Sequence, residues 1–342
     1  MPDWQQELAR AVRDPVELLT LLGLQPGQIA PGATAATLRA AAAGFPLRVP
    51  HGFVARMRHG DPQDPLLRQV LASPAELLPA TGYVADPLAE ASARGAPGLL
   101  QKYSGRALLI TTGACAVHCR YCFRRHYDYS ADHADDLPRW TAALDALQRD
   151  ASIDELILSG GDPLSLGNAR LSQLLERLQA MPQLRRIRIH TRTPIVLPAR
   201  VDAGLCEALS RLRGRLVIVV HANHAAEIDT ATAGALRSLG SCATALLNQS
   251  VLLAGVNDDA ATLADLSRRL FDSGVLPYYL HQLDQVAGAA HFAVSDARAV
   301  ALHAALIGTL PGYLVPRLVR EIPGANGKTP VVNGLARDLL KA

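Results

Sequence analysis

The sequence predicts an α/β fold, namely an open, partial (β/α)6 barrel that follows an N-terminal helical segment. From about residue 106, six short apolar runs rich in Ile, Val and Leu alternate with helical stretches. Continuous apolar strands separated by helices are typical of a parallel sheet that is covered on both faces. Six such units are too few for a closed eight-stranded barrel, and a doubly wound sheet is the alternative arrangement.

The elements follow one another in a regular order along the chain. Residues 1–100 are predicted to be mostly helical, with breaks at Pro26-Gly27 and Pro31-Gly32. Strands are predicted at residues 107–112, 155–159, 187–192, 216–220, 245–252 and 276–281, and helices near residues 140–149, 170–180, 200–212, 226–239 and 260–273. We therefore expect a mostly helical N-terminal region (1–100), the partial barrel (101–290) and a C-terminal segment (291–342).

The composition excludes several classes of protein. Hydrophobic residues make up 49% of the 342 residues and charged residues 19%, which is typical of a globular chain. A net charge of +3, spread along the chain, argues against nucleic-acid binding. The chain lacks the run of about 18 apolar residues that a membrane span needs. Its polar N-terminus lacks the features of a secretory signal, so we expect a cytoplasmic protein with reduced thiols.

Polar or special residues follow each of the six predicted strands. They include Ser159-Gly160-Gly161-Asp162 after the second strand, His190-Thr191-Arg192 in the third, His221 to His224 after the fourth, Asn248-Gln249-Ser250 in the fifth and His281 to Asp284 after the sixth. Ligands bind at the carboxyl edge of parallel α/β sheets, because loops and helix N-termini converge there. The pattern therefore predicts one active site at this edge.

Three of the five cysteines lie within eight residues, after the first predicted strand, with the spacing Cys115-x3-Cys119-x2-Cys122. Three thiolates on one loop can hold three corners of a cubane iron–sulfur cluster. The fourth iron then has an open coordination position, which a chelating amino acid such as the methionyl end of S-adenosylmethionine can fill. Electron transfer into its sulfonium would break a C–S bond and yield a 5′-deoxyadenosyl radical. A zinc site with His118 or His126 and an electron carrier with a fourth cysteine, Cys206 or Cys242, are the alternatives.

Two further motifs can bind ligands. The paired glycines Gly160 and Gly161 let backbone approach a ligand closely, and Asp162 can accept a hydrogen bond from an ammonium. The turn-rich run 323–330 carries the single lysine Lys328, whose amine could attack an aldehyde. A plain turn and an exposed loop lysine are the alternative interpretations of these two segments.

These motifs together resemble a known family. The cysteine run resembles the signature of the radical S-adenosylmethionine (radical-SAM) superfamily, and with the lysine loop the chain resembles the lysine 2,3-aminomutase family. Within that family it is most similar to the members that make β-lysine for elongation factor P. The resemblance extends from about Asp14 to Pro330 and includes residues 64–70, 98–103, 119–126 and 277–281.

The resemblance implies a radical-SAM partial barrel with three cofactors: a [4Fe–4S] cluster, S-adenosylmethionine and pyridoxal 5′-phosphate. Lys328 would bind the pyridoxal aldehyde as the catalytic lysine. The remaining implied roles are cofactor phosphate binding by Lys102 and Arg106, substrate carboxylate binding by Arg124, distal ammonium binding by Asp284 and Glu321, adenosyl contacts from His221 and Gln249, and methionyl contacts from Gly160, Gly161 and Asp162. Glu321 stands where the free-lysine enzymes have an aspartate. No cysteine follows Cys242, so we expect no interface zinc.

The implied activity is an isomerase that converts L-α-lysine to (R)-β-lysine for the post-translational modification of elongation factor P. Lysine would be the substrate, and a flavodoxin or ferredoxin the electron donor. A functional link to elongation factor P and its lysyl ligase would follow, without nucleic-acid or membrane partners. A catabolic amino-acid 2,3-aminomutase and a non-enzymatic zinc-binding scaffold protein are the two alternatives.

Overall fold

A computed structural model of the protein describes residues 3–132 and 137–332. One sheet of nine strands dominates it, and the strands lie in the order of the sequence. The strands are β1 (Leu99–Tyr103), β2 (Arg106–Thr112), β3 (Glu155–Gly160), β4 (Arg186–Thr191), β5 (Leu216–Val220), β6 (Ala245–Val251), β7 (Leu276–His281), β8 (Arg317–Arg320) and β9 (Thr329–Pro330). Strands β2 to β8 are parallel to their neighbours, while β1 and β9 pair antiparallel at the two edges.

The strand order confirms the open partial barrel. The six predicted strands correspond to β2–β7, and each strand pairs with its neighbour in sequence, whereas a doubly wound sheet would reverse its order. Because β1 and β9 stand at opposite ends of the strand order and do not pair with each other, the sheet does not close. Strand β8 was missed because it is short and has Arg317 and Arg320 at its ends, which hides any apolar run.

Helices lie between the strands and in the N-terminal segment. They are α1 (Asp3–Ala9), α2 (Pro15–Leu21), α3 (Pro26–Ile29), α4 (Ala35–Ala43), α5 (His51–Val54), α6 (Pro65–Arg68), α7 (Tyr129–Asp132), α8 (Leu137–Arg149), α9 (Asn168–Gln179), α10 (Thr193–Val196), α11 (Ala203–Ser210), α12 (Thr230–Cys242), α13 (Ala260–Asp272) and α14 (Asp296–Thr309). The five predicted helices correspond to α8, α9, α11, α12 and α13, and α14 is the additional crossover that leads to β8.

The main core lies between the outer face of the sheet and the surrounding helices. Leu171 and Leu174 of α9 belong to the same buried cluster as Leu158 of β3 and Ile187 and Ile189 of β4. Side chains alternate across a strand, so the residues between these apolar positions point to the inner face. In β4 they are Arg188 and His190, and both line an interior cavity. The interior of this sheet is thus a polar cavity and not a packed core.

The N-terminal segment forms a second core that reaches the cysteine loop. Phe53, Leu66 and Leu67 are buried in one cluster with Ala116 and Val117, which lie between the first two cysteines of the motif. This packing fixes one side of the cysteine loop. Among the described residues, no helix is both long enough and apolar enough to cross a membrane.

Candidate active site

A cavity of about 420 Å³ occupies the inner face of the open sheet, a size within the usual range for small-ligand sites. The residues predicted for the site all line it. They are Lys102, Arg106, Cys115, Cys119, Cys122, Arg124, Gly160, Gly161, Asp162, His221, Gln249, Asp284, Glu321 and Lys328. The cavity reaches from the carboxyl edge of the sheet down to Arg106, at the start of β2. The site is therefore deeper than the edge site that strand-end residues alone predict.

The three clustered cysteines lie on the loop that follows β2, and all three face the cavity. A tight turn closes the second half of the loop, where the Cys122 backbone N–H donates to the Cys119 carbonyl at 3.0 Å. Burial raises the pKa of all three thiols, to about 11 for Cys122. Free thiols here are therefore protonated, and metal binding would drive their deprotonation.

A buried ion pair anchors the cysteine loop to the N-terminal segment. Arg120, between the second and third cysteines, is fully buried, and its Nε donates to the Glu76 carboxylate at 2.9 Å. Arg125 donates to the same carboxylate, and the Arg120 backbone N–H donates to the Gln69 carbonyl at 2.9 Å. Glu76 was not predicted as a site residue, because a lone glutamate in a helical segment carries no motif.

The structure places three of the four alternative metal ligands outside the cavity that the clustered cysteines line. Cys206 on α11 and Cys242 at the end of α12 lie near each other and hydrogen-bond. Since Cys242 precedes β6, the pair lies toward the amino edge of the sheet, opposite the loop, and neither residue lines the cavity. The ring of His126 is held at the Ala287 carbonyl, 3.0 Å away, and also lies outside the cavity lining. His118 does line the cavity, with its Nδ1 2.8 Å from the Pro46 carbonyl.

The paired glycines serve backbone packing and also line the cavity, and their contact with a ligand stays a prediction. Gly160 has a φ of +120°, and a Cβ at Gly161 would lie 2.4 Å from the Ala114 carbonyl oxygen. The Gly161 N–H donates to the Thr112 carbonyl at 2.6 Å, and the Asp162 N–H donates to the Ala114 carbonyl at 2.8 Å. The end of β3 therefore lies directly against the start of the cysteine loop, where only glycine fits.

Gly161→Ala should therefore destabilise the protein by about 3 kcal/mol or more, because its methyl group meets backbone that cannot move aside. The control is Gly214→Ala, where an added Cβ has no neighbour within 4 Å and the change should stay within about 0.5 kcal/mol. Denaturant unfolding measures both, and iron content after reconstitution should fall only in the Gly161 variant. Equal stability of the two variants would contradict this packing argument.

Asp162 is fully engaged by protein donors. Its carboxylate accepts from Thr191 Oγ1 at 2.7 Å and from the backbone N–H groups of Leu164, Arg192 and Thr193 at 2.7–3.0 Å. Four donors match the acceptor capacity of a carboxylate. Its geometry thus favours a role in tying β3 to β4, and its contact with a ligand ammonium stays a prediction.

Arg124, predicted to bind a carboxylate, already binds one from within the chain. Its Nε and Nη2 donate to the two oxygens of Glu90 at 2.7 and 2.9 Å. Lys102 Nζ lies 3.1 Å from the same carboxylate and 3.5 Å from Glu321. Burial alone would raise the pKa of Glu90, but Arg124 and Lys102 outweigh it and hold that pKa below its usual value. Glu90 is a cavity residue that the sequence analysis missed, because it lies in an irregular segment without a motif.

Lys328 reaches the cavity from the loop between β8 and β9. Its Nζ lies 2.8 Å from Glu321 Oε2 and 5.6 Å from the centre of the Tyr279 ring. Tyr103 donates its hydroxyl to the other oxygen of Glu321 at 3.1 Å. Burial would raise the pKa of Glu321, yet Lys328 and Lys102 bring it down to about 2. Lys328 thus belongs to a chain of alternating charges that continues through Glu321 and Lys102 to Glu90.

Asp284 lies beside this charge chain. Burial, and then the nearby charge of Glu321, raise the pKa of Asp284 to about 7. The two carboxylates that were predicted to bind one ammonium therefore differ in charge near neutral pH, with Glu321 ionised and Asp284 half protonated. An ammonium placed between them would favour the ionised form of both.

The raised pKa of Asp284 predicts a specific pH dependence of stability. The folded pKa of about 7 lies above the unfolded value of about 3.9, so the folded state binds more protons and stability falls as pH rises between those values. Asp284→Asn should flatten this part of the profile. Glu321→Gln should move the fall in stability to lower pH, because the Glu321 charge helps to raise the pKa of Asp284. Unfolding free energies of the cofactor-free chain from pH 4 to 8 measure both effects, and an unchanged profile in both variants would contradict the assignment.

Three histidines at strand ends complete the cavity wall. His221 Nε2 lies 3.1 Å from the side-chain nitrogen of Gln249, which couples the two residues predicted to contact the adenosyl group. Burial lowers the pKa of His221 to about 3, so this imidazole is neutral. His190 and His281 were predicted to lie at the active-site edge but were given no role, and the Nε2 atom of each is buried without a hydrogen-bond partner among the described residues. Such orphaned polar atoms fit a cavity that receives a polar ligand.

The cavity residues fit the cofactors that the sequence predicts. The side chain of Arg106 lines the cavity, and its guanidinium forms no hydrogen bond or salt bridge with any described residue. The guanidinium lies 4.9 Å from the centre of the Tyr103 ring. An unpaired arginine of this kind suits a phosphate group. The amine of Lys328 and the three thiols face the same cavity. The cavity thus offers groups that could bind an iron–sulfur cluster, a nucleoside sulfonium and a phosphorylated aldehyde.

Known proteins match the chain over nearly its full length. A family model described as a 4Fe-4S single cluster domain matches residues 104–193. The L-lysine 2,3-aminomutase of Escherichia coli (strain K12) is 48% identical over 330 residues, which cover 96% of this chain and 94% of that protein. The chain belongs to the L-lysine 2,3-aminomutase family. The family member from Haemophilus influenzae (strain Rd) is 44% identical over 96% of this chain and 95% of its own length.

More distant members of the aminomutase family are longer. The L-lysine 2,3-aminomutase of Clostridium subterminale is 34% identical over 80% of this chain, which corresponds to 65% of that protein. A radical SAM methyltransferase from Sphaerobacter thermophilus is 17% identical, with a TM-score of 0.42 over 67% of this chain and 72% of its own.

Family membership settles the class of chemistry. The protein is an isomerase of the lysine 2,3-aminomutase type, with a [4Fe–4S] cluster and S-adenosylmethionine as cofactors. Lysine 2,3-aminomutases also depend on pyridoxal phosphate. The alternative of a non-enzymatic zinc-binding scaffold protein is wrong.

Proposed function

We propose that the protein converts L-α-lysine to (R)-β-lysine for the modification of elongation factor P, with pyridoxal phosphate bound to Lys328. The observation that carries the proposal is that the Lys328 amine and the three cluster cysteines line one cavity. The link to elongation factor P is supported by the resemblance of residues 64–70, 98–103 and 119–126 to the β-lysine-forming members of the family.

When bound, pyridoxal phosphate supplies an aldehyde that holds the amino group and a ring that delocalises an unpaired electron. The residues of the chain bind and orient the reactants. Arg106 and Lys102 would hold the phosphate, and Asp284 and Glu321 would hold the distal ammonium of the substrate. The cavity walls would keep water away from the reacting atoms, which a reactive radical requires.

The placement of the two acidic residues supports lysine as the substrate. An amino acid with a neutral or acidic side chain would leave Asp284 and Glu321 without an added cation, while a lysine ammonium would pair with both. Glu321 already contacts Lys328 and Lys102. Glu321 would therefore hold Lys328 and Lys102, and its charge, which acts on Asp284, would also attract the distal ammonium of the substrate.

An anaerobic assay with reductant, S-adenosylmethionine and the reconstituted protein tests the proposal. L-lysine should give (R)-β-lysine. L-norleucine has the same carbon chain but lacks the distal ammonium, and it should react at least about 100-fold more slowly because a buried charge pair is lost. Asp284→Asn should lower kcat/KM for lysine and reduce the ratio between the rates for lysine and norleucine. A protein that isomerises only glutamate, or that gives the other enantiomer, would contradict the assignment.

The role in elongation factor P modification needs a separate test. The product should be accepted by the lysyl ligase that modifies elongation factor P, and deletion of the gene should leave that protein without β-lysine. Persistence of the modification, with loss of growth on lysine instead, would favour a catabolic aminomutase. We also propose a cytoplasmic location and a flavodoxin or ferredoxin as the electron donor, since the radical chemistry needs a one-electron reductant.

A further inference from the structure

Residues 84–94, here called the strap, connect the two sides of the open sheet. At one end the Val84 N–H donates to the Gln285 carbonyl, and the Val84 carbonyl accepts from the Ala287 N–H, both at 2.9 Å. At the other end Arg94 forms an antiparallel bridge with Leu100 of β1. Between these ends, Leu88 and Glu90 line the cavity. The strap thus runs from the loop after β7 to β1 and forms part of the cavity wall.

Glu90 is the point at which the strap is fixed to the cavity floor. The residue is 2% exposed, and its side chain binds Arg124 through two hydrogen bonds and Lys102 through an ion pair. The residue before it, Ala89, has a φ of +50°, an unfavourable conformation for alanine that the surrounding contacts must hold in place. The Asp86 carboxylate accepts from the Glu90 N–H at 3.0 Å, which shapes the turn.

The contacts of Arg124 limit what it can offer to a ligand. Two of its N–H groups bind Glu90, and Nη1 donates to Ser159 Oγ at 2.9 Å and to the Gly160 carbonyl at 3.3 Å. A guanidinium has five N–H groups, so one on Nη2 remains. As long as Nη1 stays bound to Ser159 and Gly160, a substrate carboxylate could form two parallel hydrogen bonds with Arg124 only after displacing Glu90. Displacement would separate a buried carboxylate from two buried cations, which is strongly unfavourable.

We infer that Glu90 is a positioning residue that latches the strap to Arg124 and Lys102 and remains in place when substrate binds. The substrate carboxylate then receives one N–H from Arg124 and needs a second donor from another group of the cavity wall, since Arg106 is assigned to the phosphate. The latch rests on the contacts within the chain alone. The statement about how Arg124 binds the substrate carboxylate rests on the proposed function.

Hydrogen exchange of the reconstituted full-length chain, without substrate, tests the latch. Glu90→Gln and Arg124→Lys should both speed exchange of the backbone amides of residues 84–94 by roughly 10- to 100-fold, since each removes a charge-assisted, bidentate contact. The control is Glu155→Gln, which breaks a different buried ion pair, with Arg188, and should leave strap exchange unchanged. Unchanged strap exchange in Glu90→Gln, or equally faster exchange across the whole chain in all three variants, would overturn the latch.

A second arm adds L-lysine to the wild-type protein. Strap exchange should slow or stay the same if Glu90 remains bound to Arg124, whereas faster exchange would show that the substrate displaces Glu90 and would overturn the inference. Calorimetry on the same samples reports whether lysine binds at all. Failure of lysine to bind would contradict the proposed function, while the Glu90→Gln result would still decide the latch.

Discussion

Replacing Lys328 by alanine should abolish the covalent attachment of pyridoxal phosphate and lower activity at least about 10³-fold, the order expected when a catalytic group is removed outright. The chain has only three lysines, namely Lys102, Lys328 and Lys341. Borohydride reduction of the protein with bound cofactor, followed by peptide mass spectrometry, should therefore place the label on Lys328. The iron–sulfur absorption of the variant should be retained, because the cysteine loop does not contact Lys328.

Lys102→Arg is the matched control for this prediction. Lys102 lines the same cavity and also contacts Glu321, but we expect it to bind phosphate and not the aldehyde. The variant should keep the covalent cofactor and lose affinity for it by a smaller factor, since arginine retains the positive charge. A label on Lys102 or Lys341, or full activity of Lys328→Ala, would show that the catalytic lysine is assigned wrongly.

Replacing Cys119 by serine should remove bound iron and sulfide and stop cleavage of S-adenosylmethionine, with a loss of at least about 10³-fold, again because an essential group is removed. A cubane held by three thiolates has no spare protein ligand, and the described cavity wall offers no further cysteine. Covalent pyridoxal phosphate at Lys328 should persist in this variant. The two variants thus separate the two cofactors experimentally.

Cys206→Ser is the control for the cysteine variant. Cys206 lies on α11, outside the cavity lining, beside Cys242, so its replacement should leave the iron content unchanged. Iron and sulfide analysis, together with quantification of 5′-deoxyadenosine under anaerobic conditions, measures both variants. Equal loss of iron in both, or stoichiometric zinc in the wild-type protein, would contradict the cluster assignment.

The local sequence determined the six central strands and the cysteine loop. Strands β2, β3 and β5 contain continuous apolar runs, and in β4 the alternate residues that pack against the outer helices are apolar, so these strands stand out from the surrounding sequence. The spacing of Cys115, Cys119 and Cys122 carries information by itself, since one short loop must place three thiolates around one cluster. Both features are local, so the sequence alone was sufficient to predict them.

Tertiary structure decided which charged residues pair with one another in and around the cavity. Glu90 lies 34 residues from Arg124 along the chain, and Glu76 lies 44 residues from Arg120, and neither glutamate belongs to a recognisable motif. The sequence of the paired glycines predicts a ligand contact, and only the fold shows that Gly161 also has to admit the Ala114 carbonyl. Which carboxylate neutralises which cation depends on distances set by the folded sheet, and one-dimensional spacing does not contain them.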